Sequence, residues 1–255
     1  MAEAKTTTID TLPTLRLLDA ERGYTQRNEA LSSFARDYFS GKVGLIHILE
    51  AGCGRKWRLD LGDIKYSLTG VDISKEALDL RKANEGDLDR AIVGDLRTVK
   101  LDAEQFDIVY SADVIEHVNG AEEVVAKFFT WLKPKGLLML VFPDRDTVFG
   151  FMVRMLPYWA HVLYYRYVIG SPTAGKPGFN PFPTYYDRIV SRRAIHDYCR
   201  RHGHSIVLEY GRPYDFKKLG WLALGARFVF RFIHLLSFGR LAADHSGLVC
   251  IIRRQ

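Results

Sequence analysis

The chain has 255 residues, 47% of them apolar and 26% charged, which suits one large α/β domain with insertions and excludes a disordered polar chain. Its net charge of +6 hides an asymmetry: residues 1–150 hold 20 Lys+Arg against 25 Asp+Glu, whereas residues 151–255 hold 16 against 5. The basic second half, also rich in aromatics, points to an anionic partner, a lipid surface or a phosphate-bearing substrate ahead of nucleic acid.

Cys53, Cys199 and Cys250 lack metal-type spacing, so no metal site and a reducing, cytoplasmic setting are expected. The opening Met-Ala-Glu-Ala-Lys-Thr-Thr-Thr has no apolar core, and no uninterrupted apolar run of about eighteen residues follows. Neither a secretory signal nor a conventional membrane span is therefore predicted.

Residues 1–20 read as a polar arm leading into a short segment, Leu12 to Leu18. Over residues 25–39, Leu31, Phe34, Ala35, Tyr38 and Phe39 share one face, which predicts a helix. Leu45, Ile46, Ile48 and Leu49, interrupted by His47, predict a buried parallel strand. It ends at Gly52 and Gly54, which permit a tight turn and leave room for a ligand. Eighteen residues after Gly54, a second strand, Tyr66 to Val71, finishes in Asp72. A glycine turn after one strand and a carboxylate at the tip of the next define a nucleoside pocket, with the acid placed to accept hydrogen bonds from ribose hydroxyls.

A dinucleotide fingerprint wants a third glycine where this chain has Trp57, and Glu50 is a poor neighbour for a pyrophosphate. That acid suits the cationic sulfonium and amino ends of S-adenosylmethionine instead. The stretch Glu50-Ala51-Gly52-Cys53-Gly54 resembles the E/D-x-G-x-G motif of the class I S-adenosylmethionine-dependent methyltransferases. The resemblance implies a Rossmann-like, seven-stranded, doubly wound α/β sheet whose seventh strand is antiparallel. It also implies a cofactor-binding set of Glu50, Gly52, Cys53, Gly54, Asp72, Ile73, Asp95, Leu96 and Ser111.

The family places a helix after this motif, but residues 55–62 have little helical periodicity, a departure. Arg55 or Arg58 is expected to meet the methionine carboxylate; Tyr24 and Arg27 are read as surface residues first, with contact to the cofactor's carboxylate as the alternative. Ser74 is an N-cap for a helix through Ala77, Leu78 and Arg81, ending near Asn84 and Gly86. A third strand, Arg90 to Val93, delivers Gly94-Asp95-Leu96. The resemblance implies that Asp95 binds the adenine amino group, with the Leu96 backbone nearby; a turn or helix cap is the alternative.

The fourth strand, Phe106 to Tyr110, begins the pattern F-D-x-V-x-S-x-x-V-x-E-H-V, ending at Val118. It is similar to small-molecule methyltransferases of the ubiquinone-biosynthesis type. No Asn/Asp-Pro-Pro-aromatic motif occurs, which argues against methylation of nucleobase nitrogens. His117 is the candidate catalytic base, with His161, Tyr185 and Tyr186 behind it; orienting the loop is its alternative role. Glu116-His117 also resembles the bicarbonate-holding pair of cyclopropane-forming lipid enzymes, the runner-up chemistry. A non-catalytic cofactor-binding scaffold is the alternative from another class, and an NAD-linked oxidoreductase is disfavoured.

Val124, Val125, Phe128, Phe129 and Leu132 predict a helix stopped by Lys133-Pro134-Lys135-Gly136, before a fifth strand, Leu137 to Phe142. A helix from Ser191 to His202, stopped at Gly203, and strands Ser205 to Tyr210 and Gly247 to Ile252 complete the pattern. One domain is expected: an N-terminal helical cover (1–40), a cofactor-binding core (41–145), an aromatic cap insertion (146–190), a helix and sixth strand (191–213), an amphipathic insertion (214–244) and the seventh strand (245–255).

The two insertions predict helical segments, Val148 to Ile169 and Trp221 to Leu236. In the second, Arg227, Arg231 and His234 form a polar stripe on an apolar helix. A lipophilic acceptor, methylated on oxygen or carbon, is the expected substrate. The insertions are expected to cap the pocket, form a homodimer face, or contact an anionic membrane peripherally.

Overall fold

The computed structural model describes residues 12–167, 170–176, 181–214 and 216–255, with the side chains of 217–219 left out. Among these residues, eight strands form one sheet in the order β1-β7-β8-β6-β5-β2-β3-β4. The strands are β1 (Arg16–Leu17), β2 (Ile46–Ala51), β3 (Tyr66–Asp72), β4 (Arg90–Val93), β5 (Phe106–Ala112), β6 (Leu132–Pro143), β7 (Ser205–Arg212) and β8 (Gly247–Arg253). Every pairing is parallel except those of β8, which runs antiparallel to β6 and β7. The seven expected strands are present, with the last antiparallel. The addition is β1, a two-residue edge strand from the segment read as Leu12 to Leu18; residues 1–11 of the predicted arm lie outside the described residues.

The helices are α1 (Gly23–Phe39), α2 (Lys75–Asn84), α3 (Ala121–Trp131), α4 (Val148–Met155), α5 (Tyr158–Tyr167), α6 (Arg192–His202) and α7 (Ala223–Leu236). Strand alternation splits the apolar residues between two cores. Leu49, Ala51 and Val109 pack with Val124, Phe128, Ile195 and Tyr198 of α3 and α6 on one face. Ile46, Ile48, Ile108 and Tyr110 pack with Leu31, Ala35 and Phe39 of α1 on the other. That second face holds no helix from residues 54–65, which form turns and extended chain. Leu59 and Leu61 are buried there in its place, so a stretch too weakly periodic for a helix still contributes two core side chains.

One expected boundary is corrected. Lys133-Pro134-Lys135-Gly136 does not form a stop between helix and strand; β6 begins at Leu132 and carries all four residues. The cause is a register shift against β5, where Phe106 pairs with Leu132 but Ile108 with Leu137, leaving the four residues as an outward bulge with Lys135 at φ +64°. Asp107 anchors this point. Its carboxylate accepts from His47 N at 2.8 Å and Lys133 Nζ at 2.8 Å, and also contacts Lys42.

The start of the first insertion is fastened to β8 through His245, which is buried between Asp144 (Nε2 to Oδ2, 3.2 Å) and Asp244 (Nδ1 to Oδ1, 2.7 Å). Burial works against its charge, but the two carboxylates outweigh it and hold the imidazolium up to about 9. A group whose pKa is raised on folding stabilises fully below its unfolded value and loses that contribution as pH rises through the folded one. His245 therefore contributes about 3 kcal/mol at most below pH ~6.5, fading toward pH ~9. In urea titrations, wild type should lose more stability across this window than His245→Gln does, the difference persisting above pH ~8.

Candidate functional site

The glycine turn is built at the carboxyl end of β2. Gly52 and Cys53 both donate to Val71 O, at 2.8 and 3.1 Å, and Gly52 and Gly54 have φ of +72° and +56°. A Cβ on Gly52 would lie 2.3 Å from Val114 Cγ2, whereas one on Gly54 would meet nothing within 4 Å. The first glycine is thus required by packing, and the second faces open space. Asp72 accepts from Gly54 N through Oδ2 and from Ser74 N through Oδ1, each at 2.8 Å. One carboxylate therefore fixes both the glycine turn and the start of α2 while keeping lone pairs for a ligand.

Arg81 was legible in the sequence only as a helix residue. It is fully buried, donates from Nη1 to Cys53 O at 2.8 Å, and grips Asp87 through Nε and Nη2 at 2.9 Å each. Its Nη1 also lies 2.7 Å from Glu50 Oε2, off the line that a hydrogen bond needs. Burial pushes the Glu50 carboxyl up to about 8, with Arg81 pulling the other way. Glu50, expected to face a sulfonium, thus meets a protein cation. The available signal was a charged residue falling on the apolar face that Ala77 and Leu78 begin.

The strand register brings the expected residues to neighbouring strand ends. Glu50 pairs with Gly70 and with Tyr110, Asp72 pairs with Val93, and Asp95 follows two residues after Val93. Ile73 is 72% exposed beside Asp72, an apolar surface at the rim of the turn, while Cys53 and Leu96 are buried. Asp95 is held by the guanidinium of Arg97, whose Nε lies 3.0 Å from each carboxylate oxygen, and this hydrogen bonding keeps its carboxyl below the usual range. Ser111 is buried, and its Oγ has no hydrogen-bond partner among the described residues.

Arg27, read first as a surface residue, is 1% exposed, and that reading is corrected. It reaches from α1 across the carboxyl end of β5 to Asp113 Oδ2 at 3.1 Å. Arg212, at the end of β7, meets Asp113 Oδ1 at 3.1 Å. Asp113 itself has φ +56°, a left-handed conformation unusual for an L-residue and typical of functional sites. Buried near this pair, Arg27 Nη2, Arg212 Nε and the Tyr110 hydroxyl have no hydrogen-bond partner among the described residues. Buried polar atoms are seldom left so, and these fit the polar methionine end of an adenosyl cofactor. Arg55 and Arg58 are exposed instead; Arg58 lies 5.2 Å from the Tyr24 ring centroid, on a ring that Arg27 also stacks against at 4.4 Å.

Glu116 and His117 occupy a short 3₁₀ turn after β5 (residues 115–117). Nδ1 of His117 is 2.8 Å from Pro183 O, which assigns the ring proton to Nδ1 and leaves Nε2 as the free lone pair. Burial lowers the imidazole pKa, so the ring is neutral at pH 7. Burial, reinforced by Asp113, pushes the Glu116 carboxyl up to about 8, and its Oε2 has no hydrogen-bond partner among the described residues. The main chain of Glu116 receives Tyr185 N at 2.8 Å, so the first insertion closes against this turn. Tyr186 is buried beside it at φ +49° and burial pushes its hydroxyl up to about 12. Tyr185 is exposed, and His161 bonds Val153 O at 3.0 Å, tying α5 to α4.

Known proteins share the core that carries this site. Residues 49–140 match a family model described as a methyltransferase domain. The malonyl-[acyl-carrier protein] O-methyltransferase of Halalkalibacterium halodurans is 30% identical over 110 residues, 40% of this chain and 41% of that protein. The ubiquinone biosynthesis O-methyltransferase of Coxiella burnetii is 26% identical over 128 residues, 45% of this chain and 54% of that protein. The matched region thus spans about two-fifths to half the length of these relatives. The magnesium protoporphyrin IX methyltransferase of Synechocystis PCC 6803, solved with S-adenosylmethionine bound, superposes with a TM-score of 0.51 at 14% identity, over 91% of this chain and 80% of that one. The core running from β2 to β6 is thus similar to that of S-adenosylmethionine-dependent methyltransferases, and residues 49–140 carry the match to a methyltransferase domain.

Proposed function

We propose that this protein transfers a methyl group from S-adenosylmethionine to an oxygen or carbon of a lipophilic acceptor. The observation that carries the reading is Asp72, whose two oxygens hold Gly54 N and Ser74 N at 2.8 Å beside an unfilled approach to Gly54. In this reading Asp72 binds the ribose hydroxyls, Ile73 covers one face of the adenine, and Asp95 and the Leu96 backbone meet its edge. Arg27, with its free Nη2, takes the methionine carboxylate. Glu50 acts through Arg81, fixing the loop electrostatically and leaving the sulfonium to the open side of the turn.

The cofactor supplies an electrophilic methyl group, so the protein's tasks are to orient the acceptor, exclude water and take a proton. His117 does the last: its neutral ring presents Nε2 as a base, while Pro183 holds the other nitrogen. The aromatic first insertion closes over the turn that carries it, which favours an apolar acceptor. The curated relatives named above carry the same methyl chemistry on other acceptors, consistent with substrate choice residing in the insertions.

The test is calorimetry followed by mass spectrometry. S-adenosylmethionine should bind and NADH should not, and Asp72→Ala should weaken binding on the order of 30-fold, about 2 kcal/mol for hydrogen bonds to a charged group. Incubation with a lipid extract should yield a product heavier by one methylene, lost in His117→Ala while binding persists. Binding without any methylated product would leave the cofactor site standing and remove the reaction.

A further inference from the structure

Helix α7 is attached to the domain by a narrow seam. Phe230 is its only buried residue, packed edge-on against Tyr214 and Phe216 with ring centroids 4.6 and 5.1 Å away. On the opposite side Leu224, Phe228, Phe232 and Leu235 follow at i+4, i+4 and i+3 spacing, one continuous stripe. All four are exposed, Leu224 by 77% and Phe228 by 71%. Arg227 and Arg231 are exposed along one flank of that stripe. Helix α4 packs against α7, and α5, joined to α4 at Pro157, has no buried residue although it carries Trp159 and Leu163. Monomers seldom leave an apolar face of this kind to water.

Charge identifies what covers it. Residues 148–186 contain Arg154, Arg166 and Lys176 and no acidic residue; residues 216–243 contain Lys217, Lys218, Arg227, Arg231 and Arg240 and again none. The two segments that expose the apolar residues are therefore purely cationic in a chain that holds 30 acids. A protein partner or a second copy would meet cations with an apolar core and needs no such exclusion of acids. An anionic bilayer needs both: side chains for the acyl boundary, cations at the headgroups and tryptophans between. Among the described residues no helix is long and apolar enough to cross a membrane, so the contact is with a surface.

We infer that the α4–α5–α7 face docks on an anionic membrane, with the Leu224–Phe228–Phe232–Leu235 stripe inserted and Arg227 and Arg231 at the phosphates. This holds whether or not the methyl-transfer reading does.

Flotation of the full chain with vesicles of phosphatidylcholine alone or with 30% phosphatidylglycerol, about a third anionic as in a strongly charged leaflet, reads it directly. Binding is expected to the anionic vesicles only and to weaken with salt. It should fall about fivefold for each arginine removed in Arg227→Ala and Arg231→Ala, and at least tenfold in Phe228→Ser/Phe232→Ser. Trp159 and Trp221 emission should shift to the blue on binding, while circular dichroism confirms that these exposed substitutions leave the fold intact. Equal recovery with and without anionic lipid overturns the inference, as does a dimer by light scattering that Phe228→Ser/Phe232→Ser dissociates.

Discussion

Replacing Gly54 by alanine is expected to cost the fold little and cofactor binding a great deal. The added methyl meets no protein atom within 4 Å, so the structural cost is the left-handed backbone alone, φ +56°, about 1–2 kcal/mol. On the open side the same methyl stands where a ligand must approach the main chain, and affinity for S-adenosylmethionine should fall on the order of 100-fold, about 2.7 kcal/mol. Gly52→Ala provides the contrast. There the methyl would press to 2.3 Å from Val114 Cγ2, so stability and binding fall together. Thermal melts and calorimetry on the pair separate the two cases. Unchanged binding in Gly54→Ala would remove the ligand from this side of the turn.

Removal of Arg81 carries the largest expected penalty in stability. The guanidinium is fully buried and serves the Cys53 carbonyl, Asp87 and Glu50 at once. Breaking such an arrangement from one side leaves the buried Glu50 and the half-buried Asp87 without their cation and costs about 3–5 kcal/mol. For a chain of this size that lowers the melting temperature by roughly 10 °C. The pH dependence has a definite sign. Burial already raises Glu50 from 4.5 to about 8, so the folded state holds a proton that the unfolded state has lost between these values, and stability falls as pH rises through that window. Arg81→Ala should steepen that fall, and Arg81→Ala/Glu50→Gln should flatten it by removing the titrating group. A single variant with an unchanged melt would mean that the Glu50–Arg81–Asp87 arrangement contributes nothing.

These residues also mark where sequence reasoning stopped. The strands were legible because β-branched runs such as Ile46 to Leu49 and Ile108 to Val109 end in glycine or acid at their carboxyl tips. Such punctuation records buried parallel strands directly. The glycine turn and Asp72 were legible through spacing alone. Arg27 and Arg81 were not, because a long cationic side chain on a helix looks like solvent-facing decoration unless its partner is known, and Asp113 and Asp87 become neighbours only through the fold. The grip of Arg97 on Asp95 was equally silent, since two residues of separation in a loop do not fix a geometry. Lys133-Pro134-Lys135-Gly136 misled for a related reason: its composition signals a stop, but pairing with β5 and β8 on either side carries the strand through as a bulge.

The antiparallel strand β8 has a consequence for how the molecule assembles. It is the latest strand in the sequence, yet it lies between β6 and β7, which touch only through it. A growing chain that has reached residue 246 can pair β2 to β6 but leaves the rim of β6 bare, with β7, and the small β1 that pairs with it, lacking the strand that joins them to β6. The adenosyl-type half thus matures early, while the half bearing α6 waits for β8 to be threaded in. Such late closure of distant segments is slow and leaves an adhesive rim in the interval. Nascent-chain handling, more than equilibrium stability, should therefore govern how much of this protein reaches its finished form.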